Sequence, residues 1–407
     1  MRALIIFHTS FNTADHLVHF EGEQDMSNLA LHSFSGSHYE LGLQQGQAVR
    51  KLVHEGLESI PDLETIKLMK PRLLPTSLFL ALAKRKAAKL LRNDIFELYP
   101  KQAQRLKGIA DGSKIDMNTA LFLQSMELLI GKPSFAIQAC TSLGFYPQRT
   151  SSREPVVAKN FDYLNSLAPY NLTCISEPRE GYRTLGCTMA PMPGMLDGMN
   201  EHGLTVTYNL AFSTDEPRYY APLSMALQEM LETCKNTEEA IKFITQAKQG
   251  GHDALLMIAD ADGNIKTVEI TSTHSAVREP IKGQIINTNH FRTKEMQQYE
   301  IPHDAVYFGK VPKGLLGLRI HESSEKRLKR AQELLKGKVN INENKLTSIL
   351  QDHGKDNEPS MLTICRHDEL YASTLRSMIF YPQKRTIKVL YGNPCQNKYE
   401  EFKFPQH

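Results

Sequence analysis

Six cysteines, at positions 140, 174, 187, 234, 365 and 395, are the residues of this 407-residue chain best suited to nucleophilic chemistry. A thiolate attacks amide and thioester carbonyls readily, but a free thiol with a pKa of about 8.5 is mostly protonated at neutral pH and needs a base beside it. No two of the six form a C-x-x-C pair, and six in a chain this long do not make a disulfide scaffold. A reducing compartment, the cytoplasm, is the expectation, and most of these thiols read as inert core residues. The fifteen histidines are scattered. They give no H-E-x-x-H and no cysteine–histidine array with zinc spacing. His252-Asp253 and Asp352-His353 have the order of an orienting pair but read as ordinary hydrogen bonds. Glycine-rich phosphate loops and the G-x-S-x-G elbow are absent.

The elements that must position a site follow from pattern and punctuation. After thirty residues without a firm period, Gly36 to Gly46 opens a helix that runs through Val53 and Leu57; its glycines read as close-packing positions. From Leu73 to Leu129 apolar residues recur at helical spacing, as in Ala83, Ala87, Leu90 and Leu91, with Pro100 and Gly112 as breaks. Beyond residue 140 short β-type runs take over: Pro155 to Phe161, Tyr182 to Thr188 and Leu204 to Leu210. Asn236 or Thr237 caps a helix through Ile244. Asp262-Gly263 joins two runs as a hairpin. Ser323 or Ser324 starts a charged amphipathic helix to Leu335, and strands return at Ala372 to Phe380 and Thr386 to Tyr391. Hairpins argue against an all-parallel sheet, so the class is α+β.

Bulk properties narrow the function. Apolar residues make up 41% and charged residues 23%, ordinary globular usage. A net charge of +3, from 48 basic and 45 acidic side chains, lacks the lopsidedness of a nucleic-acid binder. Leu78 to Ala83 is too short to span a bilayer. Ala3 to Phe7 lacks the cleavage site of a secretory signal.

Around Cys140 the sequence resembles the penicillin acyltransferase and choloylglycine hydrolase group of N-terminal-nucleophile (Ntn) hydrolases, above all the branch typified by isopenicillin-N acyltransferase. The resemblance is carried by Gln138-Ala139-Cys140-Thr141-Ser142, by Lys159-Asn160-Phe161-Asp162-Tyr163, and by Gly198 to Leu204 with Tyr208-Asn209 behind it. It continues through Asn287-Thr288-Asn289-His290-Phe291, the stretch from Ser324 to Arg330, Thr363 to His367, and Gly392-Asn393-Pro394-Cys395. Each motif alone is weak. Together, in order and with the family's spacing, they are specific, and they cover the chain from about Ser35 to Cys395.

The resemblance implies a four-layer αββα sandwich and autocatalytic cleavage between Ala139 and Cys140. The scheme divides the chain into a largely helical α segment, residues 1–139, retained after cleavage, and a β segment, residues 140–407. An N-terminal Cys140 carries its own base, because an α-amine of pKa about 8 then sits beside the thiol. Asp162 is expected to hold that amine, and Asn209 and Asn289 to donate to the oxyanion. An arginine, Arg327 or Arg330, supports the cysteine. Lys159 stands where bile-salt hydrolases keep an arginine. Cys365 and Cys395 read as core cysteines. The reaction is acyl transfer from a linear amide or an acyl-CoA thioester through a thioester on Cys140, and it requires no metal or organic cofactor. The rival reading is a non-catalytic scaffold of the same fold that binds an acylated metabolite or a protein.

Overall fold

The computed structural model describes residues 30–130, 139–216, 218–250, 253–309, 311, 313–337, 340–368 and 371–405. The expectations for Ala3 to Phe7 and for His252 lie outside these residues. Helices dominate the first third: α1 (His38–Ala48), α2 (Arg50–Ser59), α3 (Glu64–Met69), α4 (Thr76–Leu98), α5 (Pro100–Ser113) and α6 (Met117–Ile130). Later come α7 (Leu223–Thr233), α8 (Thr237–Gln246), α9 (Lys294–Gln297), α10 (Glu322–Leu334) and α11 (Glu343–Leu350). The strands are β1 (Leu31–Gly36), β2 (Ala139–Phe145), β3 (Val156–Leu164), β4 (Asn171–Pro178), β5 (Thr184–Met189), β6 (Asp197–Asn200), β7 (Thr205–Ala211), β8 (Asp253–Ala259), β9 (Ile265–Ile270), β10 (Ser275–Arg278), β11 (Gln284–Asn287), β12 (Ala372–Tyr381), β13 (Thr386–Tyr391) and β14 (Glu400–Lys403).

They form two sheets. The larger runs β1-β4-β5-β6-β7-β8-β9-β10 and the smaller β11-β2-β3-β12-β13-β14. Every neighbouring pair is antiparallel except β1 with β4. The sheets stack face to face, with β2 against β7. Helices α7 and α8 cover the outer face of the larger sheet, and α10 and α11 that of the smaller. The result is an αββα sandwich. Both faces of its central strands are covered. Every residue of β7 is buried as a consequence, although polar Thr205, Thr207 and Asn209 alternate with apolar Val206, Tyr208 and Leu210 along it.

Local chemistry sets the helix starts. Ser37 and Glu40 make a capping box on α1: Ser37 Oγ accepts from the Glu40 N–H at 3.3 Å, and the Ser37 N–H donates to Glu40 Oε2 at 2.7 Å. Asn236 Oδ1 caps α8 by accepting from Glu239 N at 3.0 Å. Helices α1 and α5 touch backbone to backbone. A Cβ on Gly42 would lie 1.9 Å from the Arg105 carbonyl oxygen, and one on Gly108 would lie 2.1 Å from that of Tyr39. Gly46 and Gly112 repeat the contact one turn on. The close-packing reading of the glycines is therefore correct for Gly42 and Gly46. A single core joins the first third to the sheets, with Leu41, Val53 and Leu91 in the same apolar cluster as Val157, Phe161 and Leu185.

Candidate active site

Cys140 sits near the start of β2, 3% exposed. In the β2–β3 register Ala139 lies opposite Asp162 and Cys140 opposite Phe161. Side chains alternate along a strand, so Cys140 and Ser142 face the other sheet while Thr141 faces α10. Cys140 Sγ lies 4.0 Å from the Asp162 carbonyl oxygen. Burial pushes the thiol pKa up, and the positive charge of Lys159 opposes that shift.

Arg327 ties the site together. It is fully buried. Its Nη1 donates to the Cys140 carbonyl at 2.5 Å and to Thr141 Oγ1 at 3.0 Å, and its Nη2 donates to Asn289 Oδ1 at 2.8 Å. Burial lowers its pKa to about 10, which still leaves it a cation at neutral pH. Arg330 points elsewhere, to Asp352 at 2.9 and 2.7 Å. The phase of α10 explains the choice. Its buried residues are Ser324, Arg327, Leu328 and Ala331, an i, i+3, i+4, i+7 stripe that excludes position 330.

Asn289 turns its oxygen, not its amino group, toward Cys140. Oδ1 accepts from the Cys140 N–H at 2.9 Å as well as from Arg327, and Nδ2 donates to the Leu210 carbonyl at 2.8 Å. Arg327 has only donors, which fixes this orientation. Ser324 on α10 pins the segment by accepting from the Asn289 N–H at 2.7 Å.

Asn209 lies on β7. Its Oδ1 accepts from Ser142 Oγ at 2.5 Å, and its Nδ2 is buried without a partner among the described residues. Asp162 is likewise half-satisfied. Oδ1 accepts from Thr374 Oγ1 at 2.7 Å, and Oδ2 is buried and unpartnered. Burial pushes this carboxyl up to about 7, against the pull of Arg327 and Arg366.

Lys159 is buried behind the cysteine. Its Nζ donates to Asp197 Oδ1 at 2.5 Å and to the Tyr208 carbonyl. Asp197 Oδ2 accepts from Arg376 at 3.0 Å, and the Arg376 guanidinium lies 4.0 Å over the Phe161 ring. The structure thus brings Cys140, Asp162, Asn289 and Arg327 together and sets Asn209 one side-chain repeat along β2. Lys159 lies in a supporting ion cluster, and Arg330 lies apart.

Sequence reasoning missed Asp197, Arg376, Thr374, Arg366 and Ser142. Of these only Ser142 and Arg366 stood inside a motif. Cys365 is buried as expected. Cys395 is not a core residue: it is exposed, on the turn that follows β13.

A cavity of about 210 Å³ opens onto Cys140. Its wall is apolar and comes from both parts of the chain, with Val53, Ile60, Ile66 and Leu123 on one side and Phe161 and Tyr208 on the other. The wall's charged residue is Glu127, held by the Ser224 N–H at 3.0 Å and Ser224 Oγ at 2.5 Å. Burial pushes its carboxyl up to about 7.

Two covered, stacked sheets with a buried cysteine near the start of a central strand have the architecture of an Ntn hydrolase. The family model for acyl-coenzyme A:6-aminopenicillanic acid acyl-transferase matches residues 149–396, and the chain belongs to that family. Among solved structures the chain is similar to a Caenorhabditis elegans N-acylethanolamine-hydrolyzing acid amidase ortholog. The identity is 15% and the TM-score 0.41, over 60% of this chain and 93% of that one. It is also similar to a mutant form of conjugated bile acid hydrolase from Clostridium perfringens (15%, TM-score 0.38, 65% and 97%). Penicillin V acylase from Agrobacterium tumefaciens is a third (13%, TM-score 0.33, 61% and 82%). Similarity at this level does not transfer an activity. No curated protein matches the chain significantly. Among the described residues no helix is long and apolar enough to cross a membrane.

Proposed function

We propose that this protein is a self-processing acyl-transferring or amide-hydrolysing enzyme in which Cys140 becomes the N-terminal nucleophile for an apolar acyl group. One observation carries the reading. Asp162 Oδ2 and Asn209 Nδ2, two buried polar atoms without partners among the described residues, belong to residues set against β2 opposite Ala139 and at Ser142, on either side of a cysteine that opens onto an apolar cavity. Buried polar atoms are nearly always paired, so a missing partner suits a group that arrives later.

In the intact chain the thiol attacks the Ala139 carbonyl and the bond to the Cys140 nitrogen breaks. A thioester and a free α-amine result, and water then hydrolyses the thioester and regenerates the thiol. Asp162, opposite Ala139, receives the new amine and favours the ammonium that forms each time the amine takes up a proton. In the processed enzyme the amine accepts the thiol proton as sulfur attacks the substrate carbonyl, and Asn209 Nδ2 donates to the oxyanion. The leaving amine, or coenzyme A thiol, departs with that proton. Water or an acceptor amine then takes the acyl group from sulfur.

Retention of residues 1–139 is supported by β1, which completes the larger sheet through β4, and by the share of the cavity wall that α2 and α3 provide. Six cysteines without a disulfide suit the cytoplasm.

The test is the denatured mass of the wild type beside Cys140→Ala. The expected result is two fragments in the wild type, the larger beginning at Cys140, and one intact 46.1 kDa chain in the variant. Linear amides and acyl-CoA donors of graded chain length follow. Leu123→Trp should depress turnover of long acyl chains while sparing acetyl donors. An intact wild-type chain whose Cys140 reacts with thiol probes no faster than Cys174 would return the protein to the scaffold reading.

A further inference from the structure

Away from the Cys140 site, four side chains from two stretches of the chain converge. His353 follows α11, Cys365 and His367 precede β12, and Cys395 lies after β13. Their four ligand atoms lie within 4.8 Å of one another. Cys365 Sγ is 3.6 Å from Cys395 Sγ, and His367 Nε2 lies 3.4 and 3.3 Å from the two sulfurs. The rings of His353 and His367 meet edge to face at 5.0 Å, and His353 Nε2 is a buried nitrogen without a partner among the described residues.

These distances have a simple interpretation. Zinc bonds of ~2.3 Å to sulfur and ~2.0–2.1 Å to nitrogen, set tetrahedrally, place two sulfurs ~3.8 Å apart and a sulfur and a nitrogen ~3.5 Å apart. The two sulfurs and His367 Nε2 already stand near those edges. His353, within 4.8 Å of the other three, closes in to complete the fourth corner. A sulfur separation of 3.6 Å is far beyond the ~2.05 Å of a disulfide.

We propose that His353, Cys365, His367 and Cys395 hold one structural zinc ion. Two thiolates and two imidazoles are the donor set of a closed tetrahedral zinc site, in which four protein ligands leave no position for substrate. Outer contacts already frame it. Asn393 Nδ2 donates to the Arg366 carbonyl at 2.7 Å and approaches Cys365 Sγ at 3.9 Å. The Cys365 N–H donates to the Asp352 carbonyl at 3.0 Å, and Gln351 Nε2 donates to the Pro394 carbonyl at 2.9 Å. Such supports orient metal ligands. The half-buried and exposed positions of His353, His367 and Cys395 leave a path for the ion from solvent.

The proposed ion staples the loop after α11 to the turn after β13. That loop reaches the catalytic region through a short relay. The Arg366 N–H donates to Thr374 Oγ1 at 3.0 Å, and Thr374 Oγ1 donates to Asp162 Oδ1 at 2.7 Å. The role is positional, so the acyl chemistry at Cys140 still uses no metal.

The test is elemental analysis of the full-length protein purified without chelator, with Cys395→Ser and His353→Asn beside it. The wild type should carry about one zinc per chain and each variant at least ~10-fold less. Cobalt(II) titration of the chelator-treated wild type keeps the test open if the variants fold poorly. Thiolate-to-cobalt charge-transfer bands in the near ultraviolet and tetrahedral visible bands should appear, saturating at about one equivalent. The proposal is overturned if neither zinc nor the cobalt spectrum is found. A Cys395→Ser spectrum identical to the wild type, or a native protein that carries Cys365 and Cys395 as a disulfide, overturns it equally.

Discussion

Thr374 Oγ1 donates to Asp162 Oδ1 at 2.7 Å and leaves Asp162 Oδ2 buried with no partner among the described residues. The pairing depends on a bulge. In the β12–β3 register Thr374 opposes Asp162 and Arg376 opposes Phe161, with Leu375 as the extra residue. The bulge lets one strand serve both the carboxylate and, through Arg376, the ion cluster under the cysteine.

With the Asp162 carboxyl up to about 7, it is neutral below that pH and charged above it. Processing should therefore slow as pH falls below about 7, because a neutral carboxyl cannot hold the emerging ammonium. Freshly translated chain, followed on gels from pH 5.5 to 8.5, would reveal the limb. Asp162→Asn should slow cleavage by roughly 100-fold and abolish the limb. An unchanged pH profile in the variant would remove Asp162 from the reaction.

Asn209→Ala deletes an unpartnered buried donor. Loss of one oxyanion donor costs about 3 kcal/mol of barrier, or ~100-fold in kcat, with little change in KM. A defect confined to KM would instead make Asn209 a binding residue.

The two arginines of α10 should separate cleanly. Arg327→Lys loses the planar fork that reaches Cys140, Thr141 and Asn289 together, and activity should fall by ~100-fold. Arg330→Gln breaks partly exposed contacts to Asp352, Glu333 and the Gly354 carbonyl, none of them at Cys140; it should leave kcat within about twofold and cost on the order of 1 kcal/mol of stability. Comparable losses in both variants would show that the helix as a whole, not the guanidinium of Arg327, is what matters.

Glu127 gives a stability prediction. Its carboxyl is raised from 4.5 to about 7 in the folded protein, so the fold binds this proton more tightly than the unfolded chain. The resulting stability is complete below about pH 4.5 and is lost as pH rises through about 7, by an amount on the order of 3 kcal/mol. Asp162 adds a contribution of the same sign. Thermal melts of Glu127→Gln should therefore decline less between pH 5 and 7.5 than those of the wild type. Parallel declines would mean that Glu127 is ionised across the range.

Much of this site was legible because its chemistry is local in sequence. Cys140, Asp162, Asn209 and Asn289 each stand inside a short motif, and three of the four meet within hydrogen-bonding range of one another or of Arg327. The sequence left Arg327 and Arg330 open, and the buried stripe of α10, Ser324, Arg327, Leu328 and Ala331, decides between them. Asp197 and Arg376 were not legible: they meet Lys159 across strands from distant parts of the chain, and no local period records a buried ion pair. The same holds for His353, Cys365, His367 and Cys395. Their spacing matches no familiar array because the loop between α11 and β12 supplies three ligands and the turn after β13 the fourth. Cys395 was read as a core residue, yet the turn beginning at Gly392, with φ of +82°, carries it to the surface.

The parallel pairing of β1 with β4 bears on how the molecule is made and lost. While the chain is whole, that edge is closed by a tethered neighbour and folding is unimolecular. Under the proposed cleavage before Cys140, the same closure would join two polypeptides. An unfolded, processed molecule must then find its other half by diffusion, and its recovery depends on concentration. On that proposal the precursor would refold in dilution and the cleaved form would not, so the lifetime of the cleaved form would be set by how slowly it first comes apart.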